Sequence, residues 1–258
     1  MPGVMPHDII DLNYDLMDGE VEFNVVGLNE VGLNEVELNE VEGVFDSVCA
    51  FCDDGGEILC CEGRCMRSFH ATLETGANMC PSLGFSLGEL HGLPRFVCKN
   101  CEYQQHQCFA CGKLGSSNVF SGAEVFPCVS ATCNYFYHPH CVAKLLYREN
   151  KAAAEELERN IVGGGYFTCP IHKCCVCKQE ENKEDSQLQL AVCRRCPKSY
   201  HRKCLPRAIA FEDIAEEGII TRAWEGLLPD RVLIFCLNHE IVEELGIPII
   251  DHIKFPGD

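Results

Sequence analysis

Cysteine and histidine recur along this chain in one spacing used three times, and that ladder restricts the fold more than any other feature. The first set is Cys49, Cys52, Cys61, Cys65, His70, Cys80, Cys98 and Cys101. The second is Cys108, Cys111, Cys128, Cys133, His138, Cys141, Cys169 and His172. The third is Cys174, Cys177, Cys193, Cys196, His201, Cys204, Cys236 and His239. In every set two residues separate ligands one and two, four separate ligands four and five, and two separate ligands seven and eight. A Cys-x2-Cys turn puts two sulfurs on one metal at ~2.3 Å but fills only half of a tetrahedron, so each pair needs a second pair. Eight ligands make two tetrahedral sites, and three sets make six.

Cysteine at this density, 21 in 258 residues, belongs either to a secreted disulfide scaffold or to metal sites. Met1 to Leu16 carries His7, Asp8, Asp11 and Asp15 and no apolar core of signal length, which favours a reducing compartment and metal-bound thiolates. No run approaches the ~18 apolar residues of a membrane span. Formal charge is −18, and the metal-loaded form is more negative still, because nineteen thiolates outweigh six divalent ions. Such a surface repels phosphate backbones and attracts basic partners. It lacks the basic stripe of a sequence-reading DNA-binding finger.

Residues 1–46 contain no cysteine and hold a five-residue repeat, Gly27–Val31, Gly32–Val36 and Glu37–Val41. A period of five matches neither helix nor strand, so no continuous apolar face forms, and the acidic segment reads as disordered. The rest divides into modules over 47–105, 106–173 and 174–242 and a tail over 243–258. Two-stranded ribbons are expected at Glu57–Cys61, Glu124–Cys128 and Leu190–Cys193. Ala143–Asn160 reads as one helix stopped by the glycines at 163–165, and Leu205–Arg231, with the only tryptophan, Trp224, as short helical runs. Each module is too small for a self-sufficient core, so metal supplies much of the folding energy. Lys173 alone separates the second and third ligand sets, which predicts one rigid unit. The six residues Glu102–Gln107 leave the first module some freedom.

An aromatic precedes each set's first histidine (Phe69, Tyr137, Tyr200), and another sits near the seventh ligand (Phe96, Phe167, Phe235). Together these argue for a shared core, not separate beads. The stretch Cys49–Gly63 resembles a PHD finger of the histone-tail-reading type. Cys128–His138 and Val192–His201 resemble the compound PHD modules of nuclear-receptor-binding SET-domain proteins, and Phe45–Pro256 resembles the Enhanced Downy Mildew family of plant chromatin regulators. The resemblance implies a small zinc-stabilised α+β fold of three cross-braced PHD-type fingers in tandem. In each, ligand pairs one and three hold one zinc and pairs two and four the other, about six Zn2+ per chain. It also implies a non-enzymatic nuclear protein that binds histone H3 tails, other basic segments or chromatin-associated proteins and adjusts transcription, silencing or transcript processing.

Some positions leave a choice. Cys60 and Cys61 compete for the third ligand, and neighbours on a strand point to opposite faces; the family pattern favours Cys61. Cys175 is left over in the same way. Cys80 closes its site only across an insertion, Ala71–Met79, because Leu73 stands where a PHD finger has its cysteine. His106 and His140 sit beside ligands but off the spacing, and read as surface histidines. Asp53, Asp54 and Glu57, before the strand residues Ile58 and Leu59, are candidate contacts to a basic peptide, against a plain solvated turn around Gly55 and Gly56. A RING-type ubiquitin ligase places its histidine after the third cysteine and ends in Cys-x2-Cys, unlike modules two and three. A structural scaffold without histone contact fits the same ladder. A catalytic zinc site needs an open coordination position, and the ligand count fills every one.

Overall fold

The computed structural model describes residues 45–76, 79–130, 133–212, 219–228 and 231–257. The five-residue repeats and the expected disorder before Phe45 lie outside the described residues.

All three modules start on the same turn. The residue after the second ligand takes the left-handed conformation: Asp53 at φ 59°, Gly112 at 74°, Lys178 at 63°. Its N–H donates to the carbonyl of the first ligand at 2.8–2.9 Å in each case. The residue after the first ligand then donates to the strand that precedes the histidine: Ala50 to Ser68, Phe109 to Phe136, Cys175 to Ser199, at 2.7–2.8 Å. Glycine accepts a positive φ without strain, and Asp tolerates it better than most residues. The third such position, Lys178, has neither advantage, and its Nζ donates back to the Cys175 carbonyl at 2.7 Å.

On this turn each module builds a small ribbon. In the first, β1 (Ile58–Cys60) pairs antiparallel with β2 (Ser68–His70). Helix α1 (Leu87–His91) follows, opened by a Ser86–Glu89 capping box, and then α2 (Lys99–Glu102). The second module contains β3 (Gln105–Gln107) paired with β4 (Leu114–Ser116), and β5 (Phe126–Pro127) paired with β6 (Phe136–Tyr137). It continues in α3 (Pro139–Leu146) and α4 (Lys151–Val162). The single helix expected over Ala143–Asn160 is therefore two. Asn150 is the break, because its side chain accepts the Ala153 N–H at 3.1 Å and starts α4 afresh.

The third module departs furthest from expectation. Where helical runs are expected over Leu205–Arg231, the described residues include strands. β7 (Leu190–Cys193), β8 (Ser199–His201), β9 (Ala210–Phe211), β10 (Thr221–Leu228) and β11 (Arg231–Ile234) form one sheet in the order β8-β7-β11-β10-β9. β11 pairs parallel with β7 and antiparallel with β10. A ribbon gives β7 one neighbour, and here it has two, so the insert extends the ribbon into a sheet.

The first two modules share one core, which reaches into the start of the third. Buried side chains from Cys49 to Val192 form one cluster, with Ile250, Ile253 and Phe255 packed on it. The stretch after β11 is therefore no loose tail. Phe255 lies 5.9 Å from Phe51 and 6.2 Å from Phe69. Asn100 donates to the Lys254 carbonyl at 3.0 Å, Gln107 donates to the His252 carbonyl at 2.8 Å, and the Lys254 N–H donates back to Gln107 at 3.2 Å. This strap ties the first two modules to the end of the third, where the sequence left the first module room to move.

Candidate metal centres and peptide edge

The ribbons carry ligand pairs from distant parts of each module to common points. Cys49, Cys52, His70 and Cys80 meet, as do Cys61, Cys65, Cys98 and Cys101. So do Cys108, Cys111, His138 and Cys141; Cys128, Cys133, Cys169 and His172; and Cys174, Cys177, His201 and Cys204. In each of these groups the ligand atoms lie within 4.8 Å of one another. A sixth group is made by Cys193, Cys196, Cys236 and His239, with the Cys196 and Cys236 sulfurs 3.6 Å apart. Pairs one and three thus join, and pairs two and four join, in every module.

The distances suit zinc. A tetrahedron with ~2.3 Å zinc–sulfur bonds has sulfur–sulfur edges of about 3.8 Å, and a sulfur–imidazole edge is about 3.5 Å. The edges Cys49–Cys80 (3.8 Å), Cys65–Cys98 (3.5 Å) and Cys133–Cys169 (3.6 Å) agree, and all are far too long for disulfides. Sulfur–imidazole edges run from 3.2 Å at Cys177–His201 to 3.6 Å at Cys80–His70. The buried Nε2 of His239 has no hydrogen-bond partner, and the thiols of Cys193 and Cys236 hold that imidazole up at about 9. Thiols packed this closely also polarise one another. Hydrogen bonding with Cys101 pushes Cys61 down and Cys65 up, so without a cation the group cannot carry thiolates at all four positions.

A second shell orients the ligands. His70 and His201 present Nδ1 to the sulfurs and turn Nε2 to a backbone carbonyl, Gly55 at 2.8 Å and Glu180 at 2.9 Å. In the sites of pairs two and four, the seventh ligand's N–H donates to the third ligand's sulfur: Cys98 to Cys61, Cys169 to Cys128, Cys236 to Cys193, at 3.3–3.5 Å. Gly63 is confined by one of these centres, because a Cβ there would lie 2.6 Å from the Cys101 sulfur.

Cys61 is fully buried and lies in a sulfur group, while Cys60 faces away and accepts from the Ser68 hydroxyl at 3.4 Å. Cys175 lies outside the groups, and burial raises its thiol. His140 is exposed. His106 is not a surface residue: it is buried, stacks on Phe136 at 3.8 Å, and places Nε2 3.3 Å from the Cys101 sulfur. Burial pushes its imidazole down to about 4, so it stays neutral and links a first-module sulfur to the second module's core.

Asp53 also departs from the sequence reading. It is buried. Arg194 Nε donates to its carboxylate at 3.0 Å and Arg195 lies at 2.5 Å. Arg194 also reaches Asp46 at 2.9 Å. Burial pushes the Asp53 carboxyl up, and the two guanidiniums pull it back. Arg194 and Arg195 are the two residues inside the Cys193–Cys196 turn, so the turn of one zinc site is ion-paired to the turn of another. Sequence reasoning missed this partnership, although two adjacent arginines inside a ligand turn of so acidic a chain were a visible signal. Asp54 and Glu57 are exposed, Ile58 and Leu59 half-buried. Among the described residues no strand pairs with the outer edge of β1.

Comparison with known proteins now bears on this geometry. Residues 104–172 match the NSD-like PHD zinc finger of histone-lysine N-methyltransferases, and residues 174–241 match the NSD-like variant PHD zinc finger. The chain is 63% identical over 82% of its length to Protein Enhanced Downy Mildew 2 of Arabidopsis thaliana. It belongs to the Enhanced Downy Mildew family. More distant members of the same PHD group are the H3 lysine-36 specific histone-lysine N-methyltransferase of mouse, 30% identical over 76% of this chain, and mouse NSD3, 33% over 60%. The chain spans 16% of the length of the Arabidopsis relative, and 6% and 9% of the two mouse proteins. Its family fold is that of tandem PHD-type fingers with several bound Zn2+ ions, and the Cys/His groups above are the residues that fit them.

Proposed function

We propose that this chain is the non-enzymatic chromatin-binding part of a nuclear regulator, and that it takes a histone H3 tail or a similar basic segment along the outer edge of β1. The supporting observation is that this edge has no pairing partner among the described residues and is flanked by the exposed carboxylates of Asp54 and Glu57. An extended tail adds itself as a strand, backbone hydrogen bonds give affinity, and the acids set register. An unmodified lysine ammonium donates hydrogen bonds to carboxylates, and methylation removes those donors. Ser68 occupies the place before Phe69 and His70 where methyl-lysine readers commonly have tryptophan. The two mouse relatives are named as histone-lysine N-methyltransferases, which fits a part that recognises chromatin, and the four-ligand groups suit structural zinc, not catalytic zinc. The acidic surface disfavours direct sequence-specific DNA binding, and no helix among the described residues is long and apolar enough to cross a membrane.

The test is titration of zinc-loaded protein with H3 N-terminal peptides carrying zero or three methyl groups on the first lysine, repeated with Glu57→Ala. The unmethylated peptide is expected to bind about tenfold tighter, with most of the preference lost in the variant. Tighter binding of the trimethylated peptide overturns the reading. Indifference to Glu57 removes its mechanism.

A further inference from the structure

Where the three modules and the strap converge, they line an open cavity of about 840 Å³, within the size range of small-molecule sites. Its cationic lining comes from separate parts of the chain: Arg67 from the β1–β2 loop, Lys183 from the stretch before β7, Arg194 and Arg195 from the third module's ligand turn, Arg231 from β11 and Lys254 from the strap. In a chain of formal charge −18 this is a local reversal of sign. Four acids line it too, Asp46, Asp53, Glu181 and Asp251, against six cations; Asp46 and Asp53 are ion-paired with Arg194 and Arg195, and Glu181 accepts the Leu190 N–H at 2.8 Å.

The remaining guanidinium donors are not satisfied. Arg195 is only 4% exposed, and its Nε has no hydrogen-bond partner. Arg67 Nη1 is buried in the same condition. His252, in the same wall, accepts from Arg195 Nη1 at 2.8 Å through Nε2, so its Nδ1–H serves the Ile250 carbonyl and it offers the arginines no negative charge. Burial and then the positive charges of Arg195, Arg67 and Arg194 hold that imidazole neutral. A buried guanidinium without an acceptor is costly, and guanidinium forks match the planar or tetrahedral oxygens of carboxylate and phosphate.

We infer that this junctional cavity is a binding site for a small oxyanion ligand, carrying phosphate or carboxylate groups, that bridges Arg67 of the first module to Arg195 of the third. The aromatic pair Phe109 and Tyr135, stacked at 3.7 Å in the same wall, gives the ligand's apolar body a surface. Such a ligand would clamp the modules, and it is independent of the peptide edge at Glu57.

The experiment is isothermal titration of the zinc-loaded full chain with inorganic phosphate and, separately, with succinate, each against sodium chloride at matched ionic strength. The side-chain Nε–H signals of the arginines are followed by NMR in parallel. Saturable binding of at least one anion is expected, with the Arg67 and Arg195 signals shifting. Affinity should fall about tenfold or more in Arg67→Gln, and also in Lys254→Gln, which alters the strap's exposed end and keeps the test available if the first variant folds poorly. Phosphate binding without succinate binding identifies phosphate esters as the ligand class, and the reverse identifies carboxylates. No saturable binding of either anion, or binding unchanged in both variants, overturns the inference.

Discussion

The first two modules and the third obey the same ligand ladder and close their cores differently. In the first, Phe69 meets Phe96 edge-on at 6.2 Å, and in the second Tyr137 meets Phe167 at 6.0 Å. Phe96 and Phe167 each stand two residues before their ligand cysteine. In the third module Phe235 stands one residue before Cys236, and on a strand that single step turns the side chain to the opposite face. Ile234 takes the inner place beside Tyr200, while Phe235 joins Val48 of the first module and packs edge-on against Trp224 at 5.5 Å. Arg195 lies over the Phe235 ring at 5.4 Å. The third module thus uses the residue that its siblings spend on their own cores to hold the first module.

If that contrast is right, losing a zinc site costs more in the third module than in the second. Cys193→Ser should remove one of about six zinc ions and release the Arg194–Arg195 turn, so the first module's amides lose hydrogen-exchange protection along with the third's. Cys133→Ser, the comparable change in the second module, should leave the Asp53 ion pairs in place. Elemental analysis of the parent protein near three zinc, or equal effects of the two variants on the first module, breaks the comparison.

A smaller and more local cut is Asp53→Asn, which keeps the shape and leaves Arg195 buried against an uncharged amide. Removing one partner of a buried ion pair costs about 3–5 kcal/mol. Denaturant unfolding should show this loss, with the first module's amide signals shifting toward those of a module detached from its neighbour. A loss under about 1 kcal/mol would mean that the aromatic contact at Phe235 does the joining alone.

The smallest effect concerns the strap. His252 is held at about 3 in the folded protein, chiefly by burial, against about 6.5 for an ordinary histidine. The unfolded chain therefore takes up a proton below about pH 6.5 that the folded chain refuses, and stability falls as pH drops through that window. Between pH 7 and pH 6 this amounts to about 0.7 kcal/mol. The pH slope of His252→Gln should be shallower than that of the parent by that amount; identical slopes would place His252 outside the buried contact.

The metal groups were largely legible in the sequence, because tetrahedral zinc imposes a fixed ligand count and tight local turns, and both leave their mark as short spacings. Strand alternation made Cys60 and Cys61 exclusive alternatives, and the resemblance to the family pattern chose Cys61. The ribbons follow too, since each runs between adjacent ligand pairs. Local spacing carried no information about Asp53, His106, Arg194 or the strap. Asp53, Arg194 and the strap are specified by residues 141 to 154 positions away and His106 by the Phe136 ring of the next ribbon, and their roles arise only when burial makes an unpaired charge or polar group expensive. The same reason explains the sheet of the third module: β10 is a strand because β11 lies beside β7 and offers its other edge, and tertiary pairing overrides a weak local preference. Zinc ligation was thus written along the chain, whereas the joining of three zinc modules was decided in space.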